Sequence, residues 1–435
     1  MLTTTNWHTA ANILTPGLRR SRNVIHFRNV RNVIHERNVG SVIHVKNVSD
    51  SSAPPVLPPK DFDATKYRRW VQLSNPKDLN DTFTLMTFNL LSRHYMWKQV
   101  FGYLRPDYLK WTNYRFPLLN QTIKQFNCDL MCFQEMEYFM YEHHWKHQFP
   151  DSSYKSYFVK KPLPPYWDDA PCDFIDGVGI FVNTARFDVV DELHVNFGEY
   201  ILQNMHDFQY TKDLETRVIP RNTVALILKL YDKVAKKFTY VTNTHLYWSP
   251  KFNDVKLLQI KLLLNILDDF IDEVDPRLII LGDLNSKPDS NVYKLLNINS
   301  SCDIDTIHEG SYLDPTIPKE KVSIKIHECS EFEGLDYGSN NQLINKYNEI
   351  NNPYDLINIY QTLINLNKLT FTTYTRSLNM VVDHIFISKH HFRPIKILSE
   401  VDNSYCESCI VKGFPNEQFP SDHIPLVAEI GYKNS

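Results

Sequence analysis

The chain has 435 residues, 43% hydrophobic and 22% charged, with 13% aromatic residues and only 12 Gly, the balance of a globular protein with a well-filled core. Its net charge of −3 is uneven: residues 1–50 carry seven Lys and Arg against Glu36 and Asp50, which places +5 there and −8 in the remainder. A body of that sign excludes the basic clamp that grips duplex DNA, and no run of 18 apolar residues offers a membrane span.

In chain order, a nonapeptide comes first in three versions, RNVIHFRNV, RNVIHERNV and GSVIHVKNV, over residues 22–48. Three short copies cannot stack into a solenoid, so they read as a low-complexity segment rather than a metal-binding array of histidines. Residues 1–50 are basic, acid-poor and hydroxyl-bearing, as mitochondrial transit peptides are, so the expected location is mitochondrial and otherwise cytoplasmic. Residues 51–66, which contain SSAPPVLPPK, read as a proline-rich linker, and 67–435 as the catalytic domain.

From there strands and helices alternate. Apolar runs predict strands over Phe83–Phe88, Asp129–Gln134, Gly177–Asn183, Thr223–Tyr231, Phe238–His245, Leu278–Leu281, Val381–Ile387 and Ile424–Ile430. A helix interrupted by Pro117 is predicted over Asp107–Phe126. Another is predicted over Asp254–Val274, where Val255, Leu258, Leu262, Ile266 and Phe270 form an amphipathic stripe. Residues 300–352, rich in Asn, Ser, Lys and Glu, read as a surface insertion. The fold class is mixed α/β in layers. Seven Cys without regular spacing fit a reducing compartment, and Cys406-Glu-Ser-Cys409, without a second pair, reads as ordinary thiols.

Polar clusters close several of these strands: Asn89, Gln134-Glu135, Asn243-Thr244-His245, Asp283-Leu284-Asn285, Asp383-His384 and Ser421-Asp422-His423. Singly, each is ordinary turn or cap chemistry. Recurring at successive strand ends, they describe one pocket. Hard oxygen donors without clustered Cys or His select Mg²⁺, with Mn²⁺ as the alternative, and histidines beside carboxylates supply proton transfer and phosphate contacts. The chemistry that fits is metal-assisted hydrolysis of a phosphoester.

In order, LMTFNLLS, MCFQEM, DGVGIF, TNTHLYW, GDLNSKPDS, VVDHIF and PSDHIPLVAEI resemble the successive motifs of the endonuclease/exonuclease/phosphatase superfamily. The chain is most similar to its deadenylase-like branch, which includes nocturnin and the fungal Ngl nucleases; SRHYMWKQVFGYL and GFPNEQFPSDHIPL resemble the mitochondria-associated Ngl type. The resemblance implies a DNase I-like four-layer sandwich, two mixed, mostly antiparallel sheets flanked by helices. It implies a Mg²⁺-dependent 3′–5′ exoribonuclease on single-stranded RNA, acting as a monomer and not on duplex DNA. By the same resemblance Glu135, with Asn89 and Asp422, would hold the metal, and Asp283 would activate water. Asn285 would bind the scissile phosphate, His423 would contact it with its imidazole held by Asp383, His245 with Asn243 would bind phosphate on the leaving side, and Asn222 would be a further phosphate-contacting amide. Residues two apart in an extended segment point the same way, so Asp283 with Asn285, and Asn243 with His245, are expected to face the pocket together. The adenine clamp of poly(A)-degrading relatives keeps Pro250 but has Leu378 at the phenylalanine position, which weakens stacking on the terminal base and predicts a weak adenine preference. His384 replaces a tyrosine and is expected to reshape the base pocket. Two other readings keep the scaffold: a phosphatase acting on a nucleotide or inositol-type phosphate, and a binding protein without catalysis.

Overall fold

Strands buried on both faces read as continuous apolar runs, and that is how the central strands of this chain are written. The computed structural model describes residues 57–75, 81–149, 153–163, 174–207, 214–250, 252–297, 352–407 and 412–433. The nonapeptide repeats, the first residues of the predicted linker, nearly all of the 300–352 segment and Cys409 lie outside the described residues.

One sheet has seven strands in the order β1 (Trp70–Gln72), β14 (Phe392–Leu398), β15 (Leu426–Tyr432), β2 (Thr82–Asn89), β3 (Leu130–Glu137), β5 (Asp176–Asn183), β4 (Tyr154–Lys160). The other has six: β10 (Leu356–Asn358), β13 (Asp383–Ser388), β9 (Leu278–Asp283), β8 (Lys237–His245), β7 (Val224–Asp232), β6 (Phe187–Asn196). A short hairpin, β11 (Thr373–Tyr374) with β12 (Asn379–Met380), completes the set. Each large sheet contains one parallel pair, β2–β3 and β8–β9, among antiparallel neighbours.

Side-chain alternation assigns the layers. Leu85, Cys132, Leu226, Val241 and Ile279 share the core between the sheets, while Met86, Phe88, Met131 and Phe133 face outward against Leu119, Ile123 and Trp145. Ile227, Tyr240 and Ile280 face outward on the second sheet, against the helix Asn253–Phe270. Helices therefore cover both outer faces, giving the four-layer sandwich expected from the sequence. Pro117 sits in the first turn of the helix Phe116–Phe126, where its missing N–H costs nothing; a π-turn over Trp111–Arg115 precedes it.

Three features differ from the sequence reading. The helix Asn253–Phe270 buries Leu257, Ile260 and Leu264 as well as the predicted stripe, because the helix Asn291–Leu296 adds Val292, Tyr293, Leu295 and Leu296 to the same cluster. Strands β4, β6 and β14 escaped the sequence reading because their faces mix charged and apolar residues. The domain also begins before Tyr67. Phe62 and Ala64 pack on Tyr114 and Leu118, Gln125 accepts from the Ala64 N–H at 2.7 Å, and Gln418 donates to the Asp63 carbonyl at 2.7 Å. The buried Arg68 guanidinium then donates to the carbonyls of Ser399 and Pro425, each at 2.7 Å, which fastens this segment beside β14 and β15.

Gly282 is the tightest point in the second sheet. Its φ is +135°, and a Cβ there would lie 2.0 Å from the Thr244 carbonyl oxygen on β8, so only glycine allows the parallel pair to close. Gly282→Ala is expected to lower unfolding stability by about 3 kcal/mol, read from the urea midpoint at unchanged m; a loss under about 1 kcal/mol would contradict this close approach.

Candidate active site

Both parallel pairs end at the same side of the sandwich, and the polar residues that close them meet there. Asn89 is the last residue of β2 and Asp283 the last of β9. The Asn89 Nδ2 donates to Glu135 Oε1 at 3.0 Å and to Asp283 Oδ2 at 2.9 Å, so one buried amide ties the two sheets together. Its Oδ1 accepts from the Leu91 N–H at 3.0 Å, which fixes which way the amide faces.

Glu135 reaches this amide through a bulge. Its φ is +54°, and the pairing of β3 with β5 slips between Phe133 and Met136, which turns the carboxylate out of the ladder and toward the cleft. The Ser92 N–H donates to its Oε2 at 2.8 Å. Burial, followed by the carboxylates of Asp422 and Asp176, pushes its pKa up to about 8.

Asp283 is the centre of the group. Its Oδ1 accepts the Asn285 N–H at 2.9 Å, while Nε2 of His245 lies 3.5 Å and Nε2 of His423 3.8 Å from its Oδ2. Burial and then Asp383 raise its pKa to about 6. His423 hands its Nδ1 to Asp383 Oδ2 at 2.7 Å. Burial opposes charging that ring, but Asp383, Asp422 and Asp283 outweigh it, and its pKa stands well above the ordinary histidine value. His245 is driven the other way, first by burial and then by Lys161, and is neutral.

Asp422 and His423 come from one extended segment. Ser421 Oγ donates to the Asn89 carbonyl at 2.7 Å, and Tyr374 N–H to the Asp422 carbonyl at 2.8 Å, so the segment is pinned between β2 and the hairpin. The His423 ring is bonded to Asp383, while the Asp422 carboxylate interacts electrostatically with His423, Arg115 and Glu135. The Asp422 pKa is raised, chiefly by burial.

Of the residues named from sequence, Glu135, Asn89, Asp283, Asp422, His423, Asp383 and His245 converge. Asn285 is adjacent, though not through strand alternation: its φ of +46° ends the extended run, and its Nδ2 donates to the Leu246 carbonyl at 2.9 Å. Asn222 is half-buried just before β7, beside the end of β8 that carries His245. Pro250 and Leu378 are both exposed, on the loop after β8 and on the β11–β12 turn.

Asn243 corrects the expectation. It shares the parity of His245 but lies deeper, with no exposed surface. Its Nδ2 donates to the carbonyls of Phe133 at 3.0 Å and Gly179 at 2.9 Å, and its Oδ1 accepts from Gln134 Nε2 at 2.7 Å. Both N–H groups of the amide are spent on carbonyls within the sandwich, so it has no donor left for a phosphate. His384 is likewise buried and bonded within the protein, with Nε2 at 2.8 Å from the Ser286 carbonyl and Nδ1 at 3.1 Å from Asn358 Nδ2.

Sequence reasoning missed a layer of counter-charges. Asp176 is fully buried against Lys161 Nζ at 2.6 Å and His94 Nε2 at 3.4 Å; burial alone would raise its pKa, but the Lys161 ammonium, with the His94 contact, holds it well below the usual carboxylate range. Arg115, also fully buried, donates to the Pro420 carbonyl at 2.8 Å and to the carbonyls of Leu90 and Leu91 at 2.6 and 2.7 Å. Burial lowers its pKa to about 10, against the pull of Asp422, Glu137 and Glu135. Asp176 opens the DGVGIF motif and was within reach; nothing around Arg115 in WTNYRF distinguishes it from a surface arginine.

A divalent cation fits this donor set. Glu135, Asp283 and Asp422 are each raised first by burial and then by a nearby carboxylate, Asp422 and Asp176 acting on Glu135 and Asp383 on the other two, an excess of hard carboxylate oxygen that such a cation would neutralise. Acceptor and imidazole atoms of Asp283, Asp383 and His423 also lie within 4.8 Å of one another. His423 Nδ1 is already committed to Asp383, however, so that trio reads as a proton-handling group and Glu135 with Asp422 as the metal side.

The profile of the Endonuclease/Exonuclease/phosphatase family matches residues 86–423, the span bounded by this site. The chain belongs to that family. Its members are hydrolytic enzymes that depend on a divalent metal. Among curated relatives, the CCR4-Not complex 3′–5′-exoribonuclease subunit Ccr4 of Candida glabrata is 30% identical over 81% of this chain and 37% of its own length. That of Saccharomyces cerevisiae is 30% identical over 81% and 39%. The chain thus spans about two fifths of the length of these relatives. The same fold is found in ANGEL2, a 2′,3′-cyclic phosphatase, at TM-score 0.62 and 22% identity over 83% of this chain and 98% of that one. It recurs in the human nocturnin catalytic domain, at 0.53 and 18% over 85% and 99%. Within the family the chain falls in the deadenylase-like branch that its motifs resemble.

Burial lowers the pKa of His384 from the ordinary 6.5 to about 4. Above 6.5 neither the folded nor the unfolded chain protonates this ring, so its contribution is fully present. Between 6.5 and 4 the unfolded chain binds the extra proton, and about 3 kcal/mol of stability is lost as pH falls. Urea unfolding at pH 7 and pH 4.5 is expected to show a smaller pH difference for His384→Gln than for the parent chain; identical differences would refute this.

Proposed function

We propose that the protein is a Mg²⁺-dependent 3′–5′ exoribonuclease acting on single-stranded RNA with a weak preference for adenine. The observation that carries this reading is the meeting of Glu135, Asn89, Asp283 and His423 at one point between the sheets, in a chain 30% identical to a 3′–5′-exoribonuclease subunit. When bound, Mg²⁺ held by Glu135 and Asp422 polarises the phosphoryl group and neutralises charge that develops on its oxygens. Mn²⁺ suits the same oxygen donors.

The protein's own groups do the rest. Asp283, held up to about 6 beside a neutral His245, is a base matched to neutral pH and takes the proton from water. His423, kept positively charged and oriented by Asp383, offers its Nε2–H to a phosphate oxygen. Asn285 presents the second N–H of its amide to the same phosphate, its first being fixed on the Leu246 carbonyl. His245 and Asn222 contact the leaving side. Pro250 keeps one wall of the adenine clamp, and the aliphatic Leu378 weakens the other.

Hydrolysis of a 5′-labelled mixed-sequence RNA is expected to give a ladder shortening from the 3′ end with Mg²⁺ and none with EDTA. Glu135→Gln is expected to reduce the rate by about a thousand-fold or more, and Leu378→Phe to raise the preference for poly(A) by about three- to tenfold. Intact RNA alongside phosphate release from a nucleotide would replace the nuclease with a phosphatase using the same site.

Delivery to mitochondria by residues 1–50 belongs to the same proposal and rests on their composition. A fluorescent reporter fused behind these residues is expected to localise to mitochondria; a diffuse cytoplasmic signal would return the protein to the cytoplasm.

A further inference from the structure

Two large indoles stand exposed at the rim of the cleft, one on each sheet. Trp97 lies on the loop after β2 and is 43% exposed; Trp248 lies on the loop after β8 and is 57% exposed. Their rings meet edge to face, with centroids 6.3 Å apart and planes at 77°. An indole in water forgoes the burial that its large apolar surface would otherwise gain, so a pair held in contact at a rim marks a binding surface rather than a packing accident.

Both loops are tethered to the site. In the first, the Ser92 N–H holds Glu135 Oε2 at 2.8 Å and the Tyr95 hydroxyl donates to Asp176 Oδ1 at 3.2 Å, two residues before Trp97. In the second, Trp248 is three residues beyond His245, and the intervening Leu246 donates its N–H to the Asp283 carbonyl at 3.0 Å and accepts from Asn285 Nδ2 at 2.9 Å. The loops that carry the indoles are therefore tied to Glu135, Asp176 and Asp283 of the site.

Cations flank the pair on both lips. Lys98, exposed, follows Trp97 directly. On the other lip the Arg221 guanidinium lies over the rings of Tyr247 at 4.7 Å and Phe252 at 4.9 Å and donates to the Tyr247 hydroxyl at 3.1 Å, next to Asn222. Exposed aromatic faces with cations beside them are the combination that holds single strands, since every base offers a π-face and every linkage an anion.

We infer that Trp97 and Trp248 form a base-stacking platform for the RNA strand next to the scissile phosphate. This rests on the exoribonuclease reading. The platform grips any base, whereas the Pro250–Leu378 position is the place where adenine would be selected. It supplies the hold on RNA that the acidic body does not.

The test uses the full chain carrying Glu135→Gln, with fluorescence anisotropy of a short mixed-sequence oligoribonucleotide and of an abasic sugar-phosphate strand of the same length. Trp97→Ala and Trp248→Ala are each expected to weaken binding of the oligoribonucleotide by about tenfold, and together by about a hundredfold, with Trp248→Phe retaining most of the affinity. The abasic strand should bind the parent as weakly as the RNA binds the double variant, and should be insensitive to either substitution. In the chain with Glu135 restored, the double variant should raise KM far more than it lowers kcat. RNA affinity unchanged in the double variant would overturn the inference and leave the pair as a surface for a protein partner; equal losses for both strands would overturn it in favour of a merely structural role. RNA that the parent chain neither binds nor cleaves would remove the exoribonuclease reading itself, whereas normal RNA hydrolysis with unchanged KM in the Trp variants would remove only this inference.

Discussion

One amide holds the site in register. Asn89 Nδ2 donates at once to Glu135 on its own sheet and to Asp283 on the other, so the metal side and the base side are set by a single planar group. Two sheets stacked through apolar side chains alone could slide, because hydrophobic packing is not directional. Hydrogen bonds between their inner faces remove that freedom. Asn243 repeats the device deeper in the sandwich, where it joins β3, β5 and β8. Misplaced by an ångström, groups at such a site lose much of their effect, so the structural amide serves catalysis as directly as the reacting carboxylates do.

The second constraint is electrostatic. Glu135, Asp283, Asp383 and Asp422 crowd one cleft, and burying a carboxylate beside another is costly in proportion to how little water screens them. The fold answers with buried cations set behind the carboxylates rather than among them. Lys161 is spent on Asp176, and Arg115 is anchored on carbonyls of the strand mouths, so each offsets charge without neutralising the acids that face the cleft. His423, drawn to Asp383, brings a positive group beside Asp283. An arrangement that is short of positive charge at its centre and well supplied at its back is suited to a divalent cation and a phosphate arriving together.

Strand ends were legible in the sequence because two independent signals coincide there: an apolar run long enough to be buried on both faces, and an acid, amide or histidine where it stops. That is why Glu135 and Asp283 could be named before their geometry was known; Asp383 and His423 carry the same polar signal at the start of β13 and just before β15, which reach the same edge because they run antiparallel to β9 and β2. The role of Asn243 was not legible, because an amide that bridges sheets and an amide that binds phosphate are the same residue at the same parity; only depth separates them. Asn285 was placed correctly for the wrong reason, since a left-handed residue after a strand cannot be told from an extended one when both are asparagine. Strands β4, β6 and β14 lacked the continuous apolar signal because charged residues interrupt their faces. Arg115 gave no signal at all, since its burial depends on carbonyls supplied from residues around 90 and 420.

The division of labour across the cleft follows from these facts. Groups on strand ends are rigid and buried, and they are suited to the phosphodiester, which is identical at every step along an RNA. Loops after the same strands carry Trp97, Trp248 and Pro250, exposed but tethered by backbone hydrogen bonds to the catalytic residues. On the proposed exoribonuclease reading each new terminal base must be held without being preferred, and stacking meets that need because it depends on a face rather than on a pattern of donors and acceptors. In the proposed clamp Leu378 would move the balance the same way, lowering the premium on adenine and leaving the phosphate chemistry untouched. On that proposal substrate breadth would be a property of the loops, and reaction type a property of the strand ends.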